Sequence, residues 1–284
     1  MILVWGALTD EPVVRVLAAL DDGATDVVHL DDSVITDLVY DVEIGAAPAG
    51  SIDVGEHCVE LGRIEGWYLR PGGPTSPAAT VLLAVAGGLP PTVHVVNRPA
   101  AGRSNSSKPY QGMLLAAAGL SVPNTLVTSD PDAARDFLAL HGRVVYKSIS
   151  GVRSVVAAVD HAADLDRIGH GPVQLQEWIE GLDVRVHVVG SEWFATSVES
   201  DATDYRYGGD VVMAPFRIPN QLGNLLVEIT AGMGLLVAGV DLRHTPDGDW
   251  RCFEVNPSPG FTFYEDHTGQ PIAAAIARLL RGHG

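Results

Sequence analysis

Cysteine is nearly absent. The chain of 284 residues has two, Cys58 and Cys252, far apart and with no Cys-x-x-Cys pair. That excludes a disulfide framework and fits a reducing compartment. Positive charge is also scarce: 18 Lys and Arg stand against 35 Asp and Glu, for a formal net charge of −17. Nucleic-acid binding needs clustered basic residues, so no nucleic-acid partner is expected. No apolar run reaches the length of about 18 residues that marks a membrane span. The start, Met1-Ile2-Leu3-Val4-Trp5-Gly6, lacks the basic segment of a secretion signal. A soluble, cytoplasmic protein with no membrane partner is the expectation. The familiar nucleotide loops are missing too. No Gly-x-Gly-x-x-Gly follows the first strand, and no Gly-x-x-x-x-Gly-Lys-Ser/Thr occurs anywhere. The ten histidines are dispersed without a His-x-x-x-His pair, which argues against zinc. No Gly-x-Ser-x-Gly elbow supports serine hydrolysis.

What is present suffices for a substantial core. At 46 % hydrophobic, the chain can build one to three compact units. Short apolar strands are expected at 2–5, 26–30 and 38–44, with a helix over 13–20 behind Asp10-Glu11-Pro12. Residues 57–61 and 63–69 alternate like paired strands, and Pro71-Gly72-Gly73-Pro74 breaks the chain. A helix at 80–87, a strand at 92–97 and a polar linker over 97–108 follow. Farther on, helices are expected at 110–119, 130–140, 160–168, 221–233 and 272–280. Strands are expected at 144–148, 155–159, 173–179, 184–189 and 193–197. The class is α/β (α+β).

The chemistry concentrates in 239–265. Residues 238–242 and 250–255 read as two strands around the turn residues Pro246, Asp247 and Gly248. On such a hairpin Asp241 and Glu254 lie on neighbouring strands, and Glu254 and Asn256 share a face by alternation. Three hard oxygen side chains at one sheet end suit Mg²⁺; an ordinary solvated hairpin is the other reading. Lys147 ends an apolar strand before the polar loop 148–154, which contains Ser150, Gly151 and Arg153, and this is either a phosphate cradle or an edge lysine. In Gln174-Leu175-Gln176-Glu177-Trp178-Ile179-Glu180-Gly181-Leu182-Asp183, backbone groups at Glu177 and Ile179 could meet a purine edge, with Asp183 accepting ribose hydroxyls. An amphipathic strand with a turn explains the stretch equally. Arg185, and Arg206 in the loop with Asp201, Asp204, Tyr205 and Tyr207, are suited to phosphate or carboxylate or to surface ion pairs.

Taken in order, Lys108, Lys147 with its loop, 176–185, Gly239-Val240-Asp241-Leu242-Arg243 and Phe253-Glu254-Val255-Asn256-Pro257 resemble the ATP-grasp enzymes. The likeness is strongest to the ribosomal-protein glutamate ligases and the graspetide macrocyclases. The macrocyclase likeness extends to Trp67-Tyr68-Leu69-Arg70-Pro71, Asp204-Tyr205-Arg206, Tyr264-Glu265 and Thr268-Gly269-Gln270-Pro271-Ile272. The resemblance covers 97–284 well and the first 90 residues weakly. It implies an ATP-grasp fold divided into an N-terminal α/β unit at 1–96, a central lobe at 97–180 and a C-terminal lobe at 181–284, the two lobes clamping ATP. It implies that Lys108, Lys147, Ser150, Gly151, Gln176, Glu177, Ile179 and Asp183 bind ATP, that Asp241, Glu254 and Asn256 hold Mg²⁺, and that Arg185 and Arg206 act near an acyl phosphate. The implied reaction is ADP-forming ligation of a carboxylate donor to an amine or hydroxyl acceptor, on a small molecule, amino acid or peptide. A graspetide-type macrocyclase and a nucleotide-binding regulatory or kinase-like protein are the alternatives, and a homodimer is compatible with the sequence. One departure stands out: D-alanine–D-alanine ligases carry an Arg two residues before the metal Asp, and here that position is Gly239.

Overall fold

The computed structural model describes residues 1–21, 23, 25–73, 76–147, 149, 157–159, 165, 168, 171–200 and 211–283. The chain opens with β1 (Ile2–Gly6), α1 (Glu11–Leu20) and β2 (Val27–Leu30). It continues through β3 (Val39–Ile44), β4 (Pro48–Val54), β5 (His57–Glu60), β6 (Gly66–Arg70), α2 (Pro77–Gly88) and β7 (His94–Val96). Strands β2-β1-β6-β7 form a parallel sheet, and β3-β4-β5 form a small antiparallel one. Ile2, Leu3, Val4 and Trp5 are all fully buried, as an uninterrupted apolar strand must be when both faces of its sheet are covered. The expected pairing of 57–61 with 63–69 does not occur. β5 pairs with β4, and a 3₁₀ turn at Leu61–Arg63 delivers β6 between β1 and β7. The reason lies in β6 itself: consecutive Trp67, Tyr68 and Leu69 are all buried, which suits a parallel strand covered on both faces rather than an arm of a half-solvated hairpin.

The middle of the chain contributes α3 (Lys108–Ala117), β8 (Thr125–Thr128), α4 (Pro131–His141), β9 (Val144–Lys147), β10 (Ala157–Val159) and β11 (Val173–Glu177). These strands make an antiparallel sheet in the order β10-β9-β11-β8. Ala134 and Leu138 of α4 pack on Val144 and Leu175. The helix expected over 160–168 lies outside the described residues except for Leu165 and Ile168.

The last part holds β12 (Leu182–Val189), β13 (Glu192–Ser200), β14 (Val211–Pro215), α5 (Asn220–Gly232), β15 (Val237–His244), β16 (Trp250–Asn256), α6 (Thr262–Thr268) and α7 (Ile272–Leu280). Its antiparallel sheet runs β14-β13-β12-β15-β16. Alternation sorts the side chains. Val184, Val186, Val188, Val240, Leu242 and Val255 form one apolar face, packed on Leu226 and Ile229 of α5 and Leu115 of α3. The other face is left to Asp183, Arg185, His187, Asp241, Glu254 and Asn256, so strand alternation, interrupted once on β16 between Cys252 and Glu254, builds both core and site.

Helix α7 is apolar on nearly every side and joins the two ends of the chain. Its Ile272, Ile276 and Leu280 share a cluster with Ile2, Val4, Val13 and Tyr68 and with Val189, Val237 and Phe261. The approach is close: a Cβ at Gly66 would sit 2.4 Å from the Leu280 carbonyl oxygen, so this strand start must be glycine. Among the described residues no helix is long and apolar enough to cross a membrane.

Candidate active site

The β15–β16 hairpin sets the geometry. Asp241 pairs across the ladder with Glu254, and Gly239 with Asn256. The register shifts at Asp241/Leu242, and Leu242 faces Cys252, so Phe253 is the extra residue of a β-bulge. A bulge re-aims side chains and ends regular alternation. Here Phe253 and Glu254 both line one cavity. Two cations meet the two carboxylates. Lys108, the first residue of α3, donates to the Glu254 carboxylate and, at 3.2 Å, to Asn105 Oδ1. Arg185 on β12 donates to Asp241 Oδ1 at 2.5 Å. Asn256 Oδ1 accepts from the Ser258 N–H at 2.9 Å. Among the described residues no three His, Cys, Asp or Glu side chains converge on one point. Two carboxylates and an amide oxygen nevertheless fit Mg²⁺, which keeps several waters and binds through one or two carboxylates plus substrate phosphates.

The structure explains the glycine at 239. The Arg185 guanidinium lies over it: a Cβ there would stand 2.1 Å from Nη2 and 2.5 Å from Cζ. Arg185 is 6 % exposed and its Cζ sits 5.7 Å from the Tyr264 ring centroid. An arginine from the neighbouring strand thus fills the space that a side chain at 239 would take. The next residue on the same face of β12 is His187, fully buried and edge-on to Tyr264 at 4.8 Å. Neither ring nitrogen has a hydrogen-bond partner among the described residues. Burial first, and then the Arg185 charge, hold its pKa well below the ordinary 6.5. The unfolded chain therefore takes up a proton that the native state refuses. Stability from this group is intact above pH 6.5 and is lost as pH falls below it, at up to about 1.4 kcal/mol per pH unit. Urea titrations at several pH values are expected to show that decline in the wild type and a shallower one in His187→Leu.

The cavity, about 420 Å³, lies beside the hairpin between α3 and the sheet of β8, β9 and β11. Its wall combines apolar Met113, Val127 and Phe253 with Lys108, Lys147, Gln174, Gln176 and Glu254. Lys147, at the end of β9, has its Nζ 5.0 Å from the Phe253 ring centroid. Gln174 and Gln176 alternate with buried Leu175 and so share a face of β11. The side-chain oxygens of both are buried with no donor among the described residues, while Gln176 Nε2 donates to Thr125 Oγ1 at 3.1 Å. A heterocycle with N–H donors between apolar walls would complete these acceptors, and the two lysines stand where anionic groups would lie. That donor set fits a nucleotide.

Of the residues singled out in the sequence, Lys108, Lys147, Gln176 and Glu254 line this cavity, and Asp241, Arg185 and Asn256 are joined to it through the hairpin. Glu177, Ile179 and Asp183 stand at its margin rather than in its lining. The Glu177 carboxylate accepts from the Asn124 backbone N–H at 2.8 Å and from its amide at 3.0 Å. Arg243 ties Asp183 Oδ1 at 2.7 Å to the Ile179 carbonyl at 2.6 Å, and lies 5.5 Å from the Phe253 ring. Ser150, Gly151, Arg153 and Arg206 lie outside the described residues. Cys252 is no nucleophile: burial, reinforced by the Asp241 charge, pushes its thiol up to about 12.

Sequence reasoning passed over Gln174, Phe253, Arg243 and, most of all, Asn97. The polar composition of 97–108 reads as a linker, yet Asn97 clamps the base of the hairpin. It donates to the Val237 and Pro257 carbonyls, both at 2.6 Å, and accepts from the Leu236 and Val237 N–H groups at 2.8 and 3.1 Å. The only sequence signal is an Asn directly after an apolar strand. Asn97→Ala leaves those backbone groups unpaired and is expected to cost about 3 kcal/mol. Chemical denaturation measures this directly.

The profile of the RimK-like ATP-grasp domain matches residues 105–280. The chain belongs to the RimK-like ATP-grasp family, and its parallel and antiparallel sheets form the ATP-grasp fold. It is 30 % identical over 186 residues to the ribosomal protein bS6–L-glutamate ligase of Escherichia coli O7:K1 (strain IAI39 / ExPEC), covering 60 % of this chain and 61 % of that one. The chain thus spans about three fifths of the length of the curated relatives it matches. Solved structures match over nearly its whole length. The ATP-grasp ligase PsnB complexed with minimal precursor superposes with a TM-score of 0.84 at 26 % identity, covering 99 % of this chain and 98 % of that one. The Chryseobacterium gregarium RiPP-associated ATP-grasp ligase, in complex with ADP and a leader and core peptide, gives 0.84 at 20 %, covering 100 % and 97 %, a likeness of fold alone.

Proposed function

We propose that this chain is an ATP-dependent, ADP-forming carboxylate–amine ligase that works through an acyl phosphate. The observation that carries the reading is the joining of two features. One is a cavity holding two lysines and two unpaired glutamine oxygens. The other is an Asp241–Glu254 pair matched by Arg185. Lys108 and Lys147 bind the phosphates, and Gln174 and Gln176 face the base. Glu177 and Ile179 border the base, Asp183 borders the ribose, and Ser150 and Gly151 are assigned to ATP binding. Asp241, Glu254 and Asn256 would hold Mg²⁺, which would supply charge neutralisation for phosphoryl transfer. Lys108 is then released from Glu254 to the phosphates, so one lysine serves both states.

Catalysis is positioning and electrostatics. The substrate carboxylate takes the γ-phosphoryl group. Arg185 carries a planar fork of donors beside that point and steadies the charge on the acyl phosphate. The acceptor's lone pair then attacks the acyl carbon, the C–O bond to phosphate breaks, and inorganic phosphate leaves with the electron pair as the acceptor loses its proton. Arg206 is proposed to act on the same acyl phosphate as a second cation. In domain terms the chain divides at 1–96, 97–180 and 181–284, with ATP between the second and third parts.

A polypeptide substrate is favoured over a free amino acid. The full-length likeness at or above 25 % identity is to a ligase solved with precursor peptides, whereas the bS6–glutamate ligase matches over part of its length. Peptides pairing Asp or Glu with Lys, Ser or Thr are the substrates to offer with Mg-ATP. Product analysis is expected to show ADP, phosphate and a peptide lighter by one water. AMP and pyrophosphate would exclude the acyl-phosphate route, and a stable phosphopeptide would mark a kinase instead.

A further inference from the structure

The small sheet of β3, β4 and β5 ends in an open edge. β3 pairs with β4 over six consecutive rungs, from Val39–Asp53 to Ile44–Pro48, and has no strand on its other side among the described residues. Proteins commonly blunt such edges with charged side chains, lysine above all, or with a proline, a bulge or a very short strand. β3, Val-Tyr-Asp-Val-Glu-Ile, has no lysine, proline or bulge and its register is unbroken; its two charges, Asp41 and Glu43, are both acidic and share one face. Val39 is 67 % exposed and Ile44 79 %.

The two faces differ sharply. On the inner face Tyr40 and Val42 lie beside buried Ile52 and Val59. On the outer face stand Asp41, Glu43, Asp53 and Glu60, with no Lys, Arg or His among the strand residues there. We propose that this edge accepts, as a fourth strand, an extended polypeptide segment in which apolar residues alternate with Lys or Arg. Strand addition supplies main-chain hydrogen bonds, and alternate side chains supply selectivity. The apolar set falls beside Tyr40, Val42 and Ile44, and the basic set falls beside Asp41 and Glu43. A second copy of this chain fits poorly. Two-fold pairing of β3 with itself that keeps the apolar faces together sets Asp41 opposite Glu43 when centred on Val42, and sets Asp41 opposite Asp41 or Glu43 opposite Glu43 when centred on those residues; like charges directly opposite are destabilising. A one-residue slip relieves that contact but turns the acidic face of one copy onto the apolar face of the other. The same carboxylates that discourage self-pairing select a basic partner. The inference stands independently of the ligase chemistry.

The test is fluorescence anisotropy of a labelled octapeptide of alternating Val and Lys, titrated with the full chain, alongside hydrogen exchange at the β3 amides. Saturable binding is expected, with protection appearing in residues 39–44. Asp41→Lys/Glu43→Lys is expected to weaken it at least about tenfold and to gain affinity for the Val–Glu octapeptide. Asp132→Lys/Asp136→Lys on α4 removes equal charge and is expected to leave binding within about twofold. A peptide with its four Val and four Lys in separate blocks is expected to bind at least about tenfold more weakly. Equal binding by the Asp41/Glu43 variant, or by the block peptide, would overturn the proposal. So would protection of 39–44 that rises with protein concentration without peptide, which would assign the edge to a second copy.

Discussion

Glu254→Gln is expected to lower kcat/KM by about a thousandfold, or about 4 kcal/mol, with the fold intact. Glu254 is the carboxylate at which the sheet and the cavity meet. It pairs across the ladder with Asp241, lines the cavity beside Phe253, and accepts from Lys108. Glutamine keeps the length and the shape but removes the charge that Lys108 meets and that is proposed to hold Mg²⁺. The side chain is only partly buried, so stability changes little, and circular dichroism and the denaturation midpoint should match the wild type. Raising Mg²⁺ is expected to recover part of the rate, because the lost term is metal affinity. A variant with wild-type kcat/KM would remove Glu254 from the chemistry.

Gly239→Ala is expected to cost about a hundredfold in kcat while leaving nucleotide affinity within about twofold. The added Cβ lands 2.1 Å from Arg185 Nη2. An exposed arginine would simply swing aside. This one is 6 % exposed, bonded to Asp241 at 2.5 Å and lies beside Tyr264, so yielding means leaving Asp241 and the place proposed for the acyl phosphate. The residues proposed to bind the nucleotide line the cavity and are untouched, which separates kcat from affinity. Single-turnover kinetics with saturating Mg-ATP resolve the two. Unchanged kcat would show that Arg185 has room to move and that glycine at 239 serves the fold alone.

Much of the fold was legible wherever one signal decided the local structure. The apolar run at 2–5 and the helix at 272–280 are where periodicity places them. The hairpin was readable because Pro246, Asp247 and Gly248 interrupt two apolar runs, which put Asp241 and Glu254 on neighbouring strands, and alternation put Glu254 and Asn256 on one face; that Asp241 pairs directly with Glu254 depends on the bulge. What stayed hidden depends on partners distant in sequence. The bulge at Phe253 is a register shift between two strands and leaves no mark in either. Asn97 looks like a linker residue until Leu236, Val237 and Pro257 arrive around it. Gly239 looked like the loss of an arginine, and its meaning lies on the neighbouring strand, in Arg185. Strand β4 begins at Pro48 and contains Gly50, both turn signals in sequence, and α6 is seven residues long after Pro257-Ser258-Pro259-Gly260. Lys147 and Gln176 were readable as candidates, and alternation puts Gln174 on the face of Gln176; that this face lines the cavity follows from the pairing of β11 between β9 and β8.

The most direct test is calorimetric titration of the full chain with a magnesium complex of a non-hydrolysable ATP analogue, comparing the wild type with Lys147→Ala. Lys147 lines the cavity beside Phe253 and takes no part in the hairpin that would hold the metal. Binding at one site per chain is expected, weakened at least tenfold, about 1.4 kcal/mol, by the substitution. Equal affinities for the two proteins, or no binding to either, would contradict a nucleotide held between Lys108, Lys147 and the Asp241–Glu254 pair.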